Sequence, residues 1–572
     1  MSGPQATYEW KRLPWRKLEV AVFKLQKRIY KASQAGDIRR VHRLQRLLLK
    51  SQAAKLLAVR RVTQDNQGKN TAGIDGIKSL TPPQRLTVAI NFDTLPSGKP
   101  TRRVWIPKPG KDEHRPLGIP TLYDRAHQAL VKLVLEPEWE AKFEPNSYGF
   151  RPGRGAQDAV EAIFNAIRQQ PKYVLDADIA KCFDRIDHSA LVSKMNTFGT
   201  LKRQITRWLK AGVLDNGVFA KTEQGTPQGG VLSPLLANIA LHGLENHLRD
   251  AFSTSKTSGQ IAEQPVVKLK PLVIRYADDW LVLHRDRAVI EHCQRLAEEW
   301  LQNMGLELHL TKTRIAHTLY PEGGKIGFTF LGFEVRQYPA SRYNSPSGQG
   351  FKTLIKPSPE AIKSHYRQLA EMIRQDQAAT QGRLIGRLNP VIAGWSHYYR
   401  AVVSKVIFHK LDHQLYIRLA RWARHRHPRK SQHWITQRYW GVDRGQGWIF
   451  ASARGGVLNP HAKVAIVRHT KVRGQASPYD GNWSYWAMRR GMYPGMPPSL
   501  ARRLKHQQGR CQACGLVFMP ETLVELHHLD GNHKNHKFDN ISAVHRHCHD
   551  QIHGGQHELS QLLGSHDKSP VN

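Results

Sequence analysis

Asp278 and Asp279 stand side by side between two apolar runs, PLVI at 271–274 and WLVL at 280–283. Runs this short, branched and bounded by charge read as two strands joined at Ala277-Asp278-Asp279, with the acids at the hairpin tip. Two unit charges about 4 Å apart repel by roughly 4 kcal/mol at an effective dielectric near 20. A solvated Asp-rich turn tolerates that cost, and so does a site that binds a cation. A second apolar run, YVLDADIAKCFDRIDH at 173–188, ends in acids at alternate positions, which puts Asp176 and Asp178 on one face of a strand. If that strand ends beside the turn, three or four carboxylates converge. Mg²⁺ takes hard oxygen ligands from one or two carboxylates plus substrate phosphates. Two such ions, about 3.5–4 Å apart, can clamp the attacking and leaving oxygens of a phosphoryl displacement.

A second set of chemistry-bearing residues lies at 511–554, which holds three of the five cysteines and eight histidines. Cys511-x-x-Cys514 has the spacing of half a structural zinc site, and His545-x-x-Cys548 can supply the other half. His549 and His553 are four apart and share a helix face, so with His527 they could form a three-histidine metal site. A zinc-ribbon DNA-binding module with surplus histidines would use the same spacing.

The elements that must position these groups belong to several domains, because 572 residues exceed one core and suggest three to five units. Lys plus Arg number 86 against 46 Asp plus Glu, a formal charge of +40. Such an excess repels itself, and a polyanion, nucleic acid above all, is the partner that offsets it. There is no apolar run of about 18 residues and no basic amphipathic helix at a terminus, which argues against a membrane partner. The start, MSGPQATYEWKRLPW, lacks an apolar signal region, and five cysteines do not make a disulfide framework. A reducing cytoplasm is expected. Residues 15–60 read as two helices with Asp37 capping the second, and Leu18, Val22, Leu25 and Ile29 form the apolar stripe of the first. After a linker at 345–350, a helix begins with Ser358 as cap and Pro359 in its first turn. Its expected buried stripe is Ile362, Tyr366, Leu369 and Ile373. From 401 to 510 there are 21 Lys plus Arg against three Asp and no Glu, interleaved with six Trp, a composition suited to phosphates and stacked bases.

Taken together, the stretches resemble the reverse transcriptases encoded by group II introns. The resemblance is carried by TAGIDGI (71–77), RRVWIPKPGKDEHRPLGIP (102–120), NSYGFRPGRGAQDAV (146–160), the DADIAKCFD strand, GTPQGGVLSPLLANIAL (225–241), YADD (276–279), GLELHLTKT (305–313) and FTFLGFEV (328–335). It implies a multidomain α+β right hand of fingers, palm and helical thumb, with Asp178 and Asp278 binding the two catalytic Mg²⁺ ions and Asp279 as the neighbouring acid. By the same resemblance Asp176 and Asp184 are local structure, and Phe183 lies under the incoming sugar, where a ring bars a 2′-hydroxyl. Lys108 and Arg115 match positions that hold the dNTP triphosphate, with Lys111 as an alternative to Lys108. Gln228 would line the nucleotide pocket. LNPVIAGWSHYYR (388–400) looks like the family's thumb, or maturase domain, whose expected job is to grip intron RNA by backbone and shape so that it splices itself.

The C-terminal cluster resembles the HNH, or ββα-metal, nucleases. That resemblance implies His528 as the base that activates water and Asn540 as the residue that orients the loop. His527, His549 and His553 would then hold Mg²⁺ or Mn²⁺, while Cys511, Cys514, His545 and Cys548 hold structural Zn²⁺. Family members often carry Asp where this chain has His527, and Cys where it has His545. The expected layout is a basic helical extension at 1–65, fingers and palm at 66–345, and a thumb or maturase domain at 351–470. A DNA-binding segment at 471–507, a zinc-containing HNH domain at 508–560 and a tail at 561–572 complete it. The expected partners are intron RNA, double-stranded target DNA and dNTPs. The expected activities are RNA-directed DNA synthesis, assisted splicing, and nicking of a target strand whose 3′ end primes cDNA. The alternatives are a splicing factor that has lost synthesis and a reverse transcriptase with another role, such as phage defence.

Overall fold

Four antiparallel strands form the sheet that carries the acids, in the order Leu272–Tyr276, Asp279–His284, Tyr173–Ala177, Arg314–His317. The structure, a computed structural model, describes residues 10–92, 98–107, 113–252, 270–341, 343, 348–443, 447–452, 456–494, 496–519 and 523–553. Successive side chains of a strand point to opposite faces, and here both faces are covered. Leu175, Val273, Trp280 and Val282 enter one core, and Val174, Ile274, Leu281 and Leu283 enter another. This double burial is why the strands read as unbroken apolar runs.

The first core is built around the helix Leu122–Glu140, buried along nearly its whole length, against which the N-terminal helices Trp15–Gln34, Ile38–Lys50 and Gln52–Arg60 pack. Asp37 caps the second of these by accepting from Arg40 N at 2.9 Å. The first helix is buried on two sides. Val22 and Ile29 face the first core, while Phe23 and Tyr30 face the second. The second side is closed by residues from the far end of the chain: Phe23 lies 5.3 Å edge-to-face from Tyr493 and 6.0 Å from Tyr479.

A second sheet pairs His114–Ile119 with Thr101–Pro107 and extends through Val213–Asp215 to Val218–Ala220. Beyond the three-stranded sheet of Phe328–Phe330, Phe333–Pro339 and Phe351–Pro357 come the long helices Pro359–Gln375, Gln381–Tyr399 and Lys405–Arg426. Ser358 caps the first, accepting from Ala361 N at 3.2 Å. Its buried stripe is His365, Leu369 and Ile373, one residue round from the expected Tyr366. His365 turns inward because it stacks on Trp395, with centroids 4.6 Å apart, and meets His461 Nε2 at 2.8 Å.

The basic segment at 471–507 packs back onto the acid-bearing unit. Asp158 receives His469 Nε2 at 2.9 Å, Val472 N at 2.8 Å and Arg489 Nη2 at 2.5 Å. Trp486 is fully buried, and Tyr479 donates to Glu136 at 2.8 Å. Part of the positive charge in this stretch is therefore internal. No helix among the described residues is long and apolar enough to cross a membrane.

Candidate active site and metal centres

The hairpin register places the acids. Asp176 pairs with Leu281 and Ala177 with Trp280, so one step further Asp178 comes level with Asp279. Tyr276 pairs with Asp279 across a two-residue turn of Ala277 and Asp278, and Ala277 takes a left-handed φ of 60°. Asp176 is held at 3.3 Å by Arg314 Nε. Burial and then the charge of Asp178 raise the Asp278 carboxyl above its usual range. Burial, followed by the charges of Asp278, Asp178 and Asp176, pushes Asp279 up to about 7. The Asp279 side chain still reaches solvent, so water screens part of that repulsion. A hard divalent cation with oxygen preference suits this donor set.

What holds the turn is Arg275, which is fully buried behind it. It donates to Ala277 O at 3.2 Å and to Asn238 Oδ1 at 3.0 Å, and Asn238 in turn donates to Gly149 O at 2.8 Å. Gly149 lies against the turn so closely that a Cβ would sit 2.3 Å from Ala277 N. The loop that carries it is locked by a buried fork between Arg151 and Glu140, with N–O distances of 2.8 and 3.1 Å.

Around the acids, Arg115 is exposed on the His114–Ile119 strand, and its charge opposes the upward shift of Asp278. Lys108 and Lys111 lie outside the described residues. Phe183 is partly buried at the edge of the first core. The GTPQGG loop rests on its turn: Thr226 N donates to Phe183 O at 2.6 Å and Gly225 N to Ile186 O at 2.8 Å. Gln228 O accepts from Gly118 N at 2.6 Å, which joins this loop to the Arg115 strand. Asp184 is raised by burial, with Arg103 opposing.

Two residues at this site are new. Phe150 is half-exposed, takes a φ of 60°, and sits 6.4 Å edge-to-face from Phe183. A bulky residue with positive φ is uncommon and marks a place where surroundings override local preference. Lys312 Nζ lies 2.6 Å from Asp178 Oδ2. The GLELHLTKT stretch contained it, but only the fold brings its ammonium to the acids.

At the C-terminal end, Val524–His528 and Ile541–His545 form an antiparallel pair, and residues 546–553 are helical. The ligand atoms of Cys511, Cys514, His545 and Cys548 lie within 4.8 Å of one another, and so do those of His527, His549 and His553. Three thiols and an imidazole suit Zn²⁺, and three imidazoles suit a divalent ion with open positions. Glu525 Oε2 accepts from His549 Nδ1 at 2.9 Å, which leaves Nε2 facing His553. Among the described residues neither buried ring nitrogen of His528 has a hydrogen-bond partner, although the ring packs against His533 and His536. Asn540 closes the intervening loop: its Nδ2 donates to Asp530 Oδ1 at 2.7 Å and to Asn535 O at 2.9 Å.

The chain matches the reverse transcriptase (RNA-dependent DNA polymerase) family over residues 106–335 and the N-terminal domain of reverse transcriptase over 10–92. It matches the group II intron maturase-specific domain over 362–440. It is 33% identical over 324 residues to protein YkfC of Escherichia coli K12, covering 51% of this chain and 82% of that protein. It is 32% identical over 293 residues to the group II intron-encoded protein LtrA of Lactococcus lactis, covering 42% of this chain and 47% of LtrA. A 91 kDa protein in a cob intron of Schizosaccharomyces pombe is 26% identical over 364 residues, covering 54% of this chain and 44% of that protein. The chain thus spans less than half the length of the latter two. Sheet and turn fall within the matched reverse transcriptase segment and much of the helical domain within the matched maturase segment, and the protein belongs to the reverse transcriptases and maturases encoded by group II introns.

Proposed function

We propose that this protein is a mobile-intron enzyme with three jobs: RNA-directed DNA synthesis, assistance to intron splicing, and nicking of the DNA strand that primes synthesis. The observation that carries the first is the register that sets Asp178 level with Asp279 beside Asp278, backed by buried Arg275. Asp178 and Asp278 would hold two Mg²⁺ ions, which stabilise charge on the attacking and leaving oxygens of phosphoryl transfer. Asp279 adds negative charge that draws cations to the site. Arg115 would hold the dNTP phosphates with Lys108, Gln228 would line the pocket, and the Phe183 ring would bar a 2′-hydroxyl.

For splicing, the support is the helical domain at 351–470. A groove of about 570 Å³ on Pro359–Gln375 and Lys405–Arg426 is lined by Arg367, Arg418, Arg421 and His425, with Arg374 there paired to Glu371. Such a face suits RNA phosphates, read by backbone and shape. For nicking, unpartnered His528 would take the proton from water, with His527, His549 and His553 holding the divalent ion, Asn540 fixing the loop, and a Zn²⁺ on Cys511, Cys514, His545 and Cys548 bracing the module. The setting would be a reducing cytoplasm.

Primer extension on an RNA template with dNTPs and Mg²⁺ tests the first job, comparing the unaltered protein with Asp278→Ala. Synthesis is expected only from the unaltered protein. If neither extends the primer while both promote intron splicing, the splicing-factor reading replaces this one. His528→Ala should abolish nicking and spare synthesis; loss of both would show that the two activities share one site.

A further inference from the structure

The hairpin of Trp440–Asp443 and Gly447–Phe450 stands beside the helix Lys405–Arg426 and the short turn His461–Lys463. Between them is a cavity of about 440 Å³ whose lining includes Tyr416, Trp440, Trp448, Phe450, His409 and Lys463. Trp440 and Phe450 are buried and form its floor, edge-to-face at 5.1 Å. Tyr416 meets Trp440 at 5.6 Å but is 46% exposed, and Trp448 is 61% exposed. Two large aromatic faces are thus left in water although burying such a ring is worth about 1.5–3 kcal/mol. Tyr416 stands on the helix and Trp448 on the hairpin, and both rings face solvent.

The polar groups at this cleft decide what could enter. Asp412 lines it, but its carboxylate is occupied by His461 Nδ1 at 2.6 Å, His461 N at 2.8 Å and Ala462 N at 2.9 Å. Among the described residues the Lys463 ammonium donates only to Asn459 Oδ1, a neutral acceptor at 3.1 Å, and an ammonium carries three donors. The surrounding residues 401–510 hold 21 basic groups against three acids. A flat, π-faced ligand attached to an anionic chain fits this combination; an apolar peptide would use the rings but not the charge. Base stacking on aromatic side chains beside cations that hold the backbone is how unpaired RNA is gripped. A base inside a duplex could not reach the floor.

We propose that this cleft is a binding site for one unstacked RNA base, with Tyr416 and Trp448 as its walls, the Trp440–Phe450 pair as its floor, and Lys463 on a flanking phosphate. The proposal rests on the RNA-binding reading of the helical domain. It makes the domain sensitive to a bulged or looped nucleotide, whereas the arginine groove on another face of the same helix would follow the backbone.

The test uses the full chain and labelled single-stranded RNA of about 12 nucleotides, with the same sequence as a duplex for comparison. Trp448→Ala and Tyr416→Ala should each weaken single-strand binding by between about fivefold and a hundredfold. Duplex binding and the salt dependence should not change, because no phosphate contact is removed, and Trp448→Phe should restore most of the loss. An unchanged thermal unfolding transition reports that each variant is folded. If the unaltered protein binds RNA and both alanine variants bind it equally well, or lose single strand and duplex alike, the cleft is not a base site while the RNA reading stands. If the unaltered protein binds neither RNA, both readings fall.

Discussion

Lys312 Nζ lies 2.6 Å from Asp178 Oδ2, so an ammonium already occupies part of the space where a divalent ion on that carboxylate would sit. The loop that brings it is tied to the strand end by backbone bonds, His309 N to Asp178 O at 2.8 Å and Lys312 N to His309 O at 3.1 Å. Its side chain is 51% exposed, so the pair adds little to stability. Competition with a metal bound there would be the larger effect. Lys312→Gln is therefore expected to change unfolding free energy by less than about 0.5 kcal/mol. It should lower the Mg²⁺ concentration that gives half-maximal primer extension by a few-fold. A higher Mg²⁺ requirement in the variant would show that Lys312 serves the bound nucleotide rather than competing for Asp178.

Gly149→Ala tests how tightly the acids are placed. The added Cβ would lie 2.3 Å from Ala277 N and 2.9 Å from Tyr276 C, both backbone atoms, so the turn has to move. A displacement near 1 Å at reacting groups costs on the order of a hundredfold in rate. Primer extension should fall by roughly that factor with template–primer affinity little changed, and DNA nicking should persist. Normal synthesis by the variant would mean that the turn's position is set elsewhere.

The hairpin that carries Asp278 and Asp279 was legible because its signals are local: branched apolar runs, an Asp turn, and a short span between them. The metal-ligand spacing at Cys511 and Cys514 is local in the same way, and its partners His545 and Cys548 were found by the same spacing. Contacts between distant segments were not legible. The apolar stripe of the first helix omitted Phe23 and Tyr30 because the residues that cover them, Tyr479 and Tyr493, lie at the other end of the chain. Composition marks 401–510 as strongly basic, yet within it Arg489 is paired with buried Asp158 and Arg503 stacks 3.7 Å from the Phe538 ring. Counting charges does not say which of them face water. Phe150, with its left-handed backbone, stands next to Gly149, which packs on the Ala277 turn, a contact between segments far apart in the chain.

The thiol cluster is expected to hold one zinc per chain, and Cys548→Ala should lose it. Cys548 is buried beside Cys511 and Cys514. The strand Ile541–His545 is tied to the preceding helix region through Gln507, which donates to Ala543 O at 2.9 Å and accepts from Ala543 N at 2.8 Å. Loss of the metal should therefore melt this module and, with it, nicking. One face of the polymerase sheet shares a core with this module through Cys511, Phe518 and Val544, but the other face packs in the core around Leu122–Glu140, so primer extension should fall far less than nicking. Elemental analysis and a thermal scan read the two effects separately; unchanged zinc content in the variant would remove Cys548 from the ligand set.

The helical domain should weaken in mild acid because of His365. Burial, and then the neighbouring His461, hold its imidazolium form down to a pKa of about 3. His365 Nε2 meets His461 Nε2 at 2.8 Å, Trp395 stacks on its ring, and Asp412 fixes the far side of His461 at 2.6 Å. In the unfolded chain the same imidazole takes a proton near pH 6.5. The folded state refuses that proton, so the unfolded state binds more protons across the window from about 6.5 down to 3, and stability falls as pH falls through it. Above about pH 6.5 the contribution is fully present, and below that point its loss approaches about 1.4 kcal/mol per pH unit. His365→Phe keeps a ring to stack on Trp395 and has nothing to protonate. Urea unfolding of the two proteins at pH 7 and pH 5 should show the unaltered chain losing more stability than the variant. Equal losses would mean that His365 titrates alike in the folded and unfolded states.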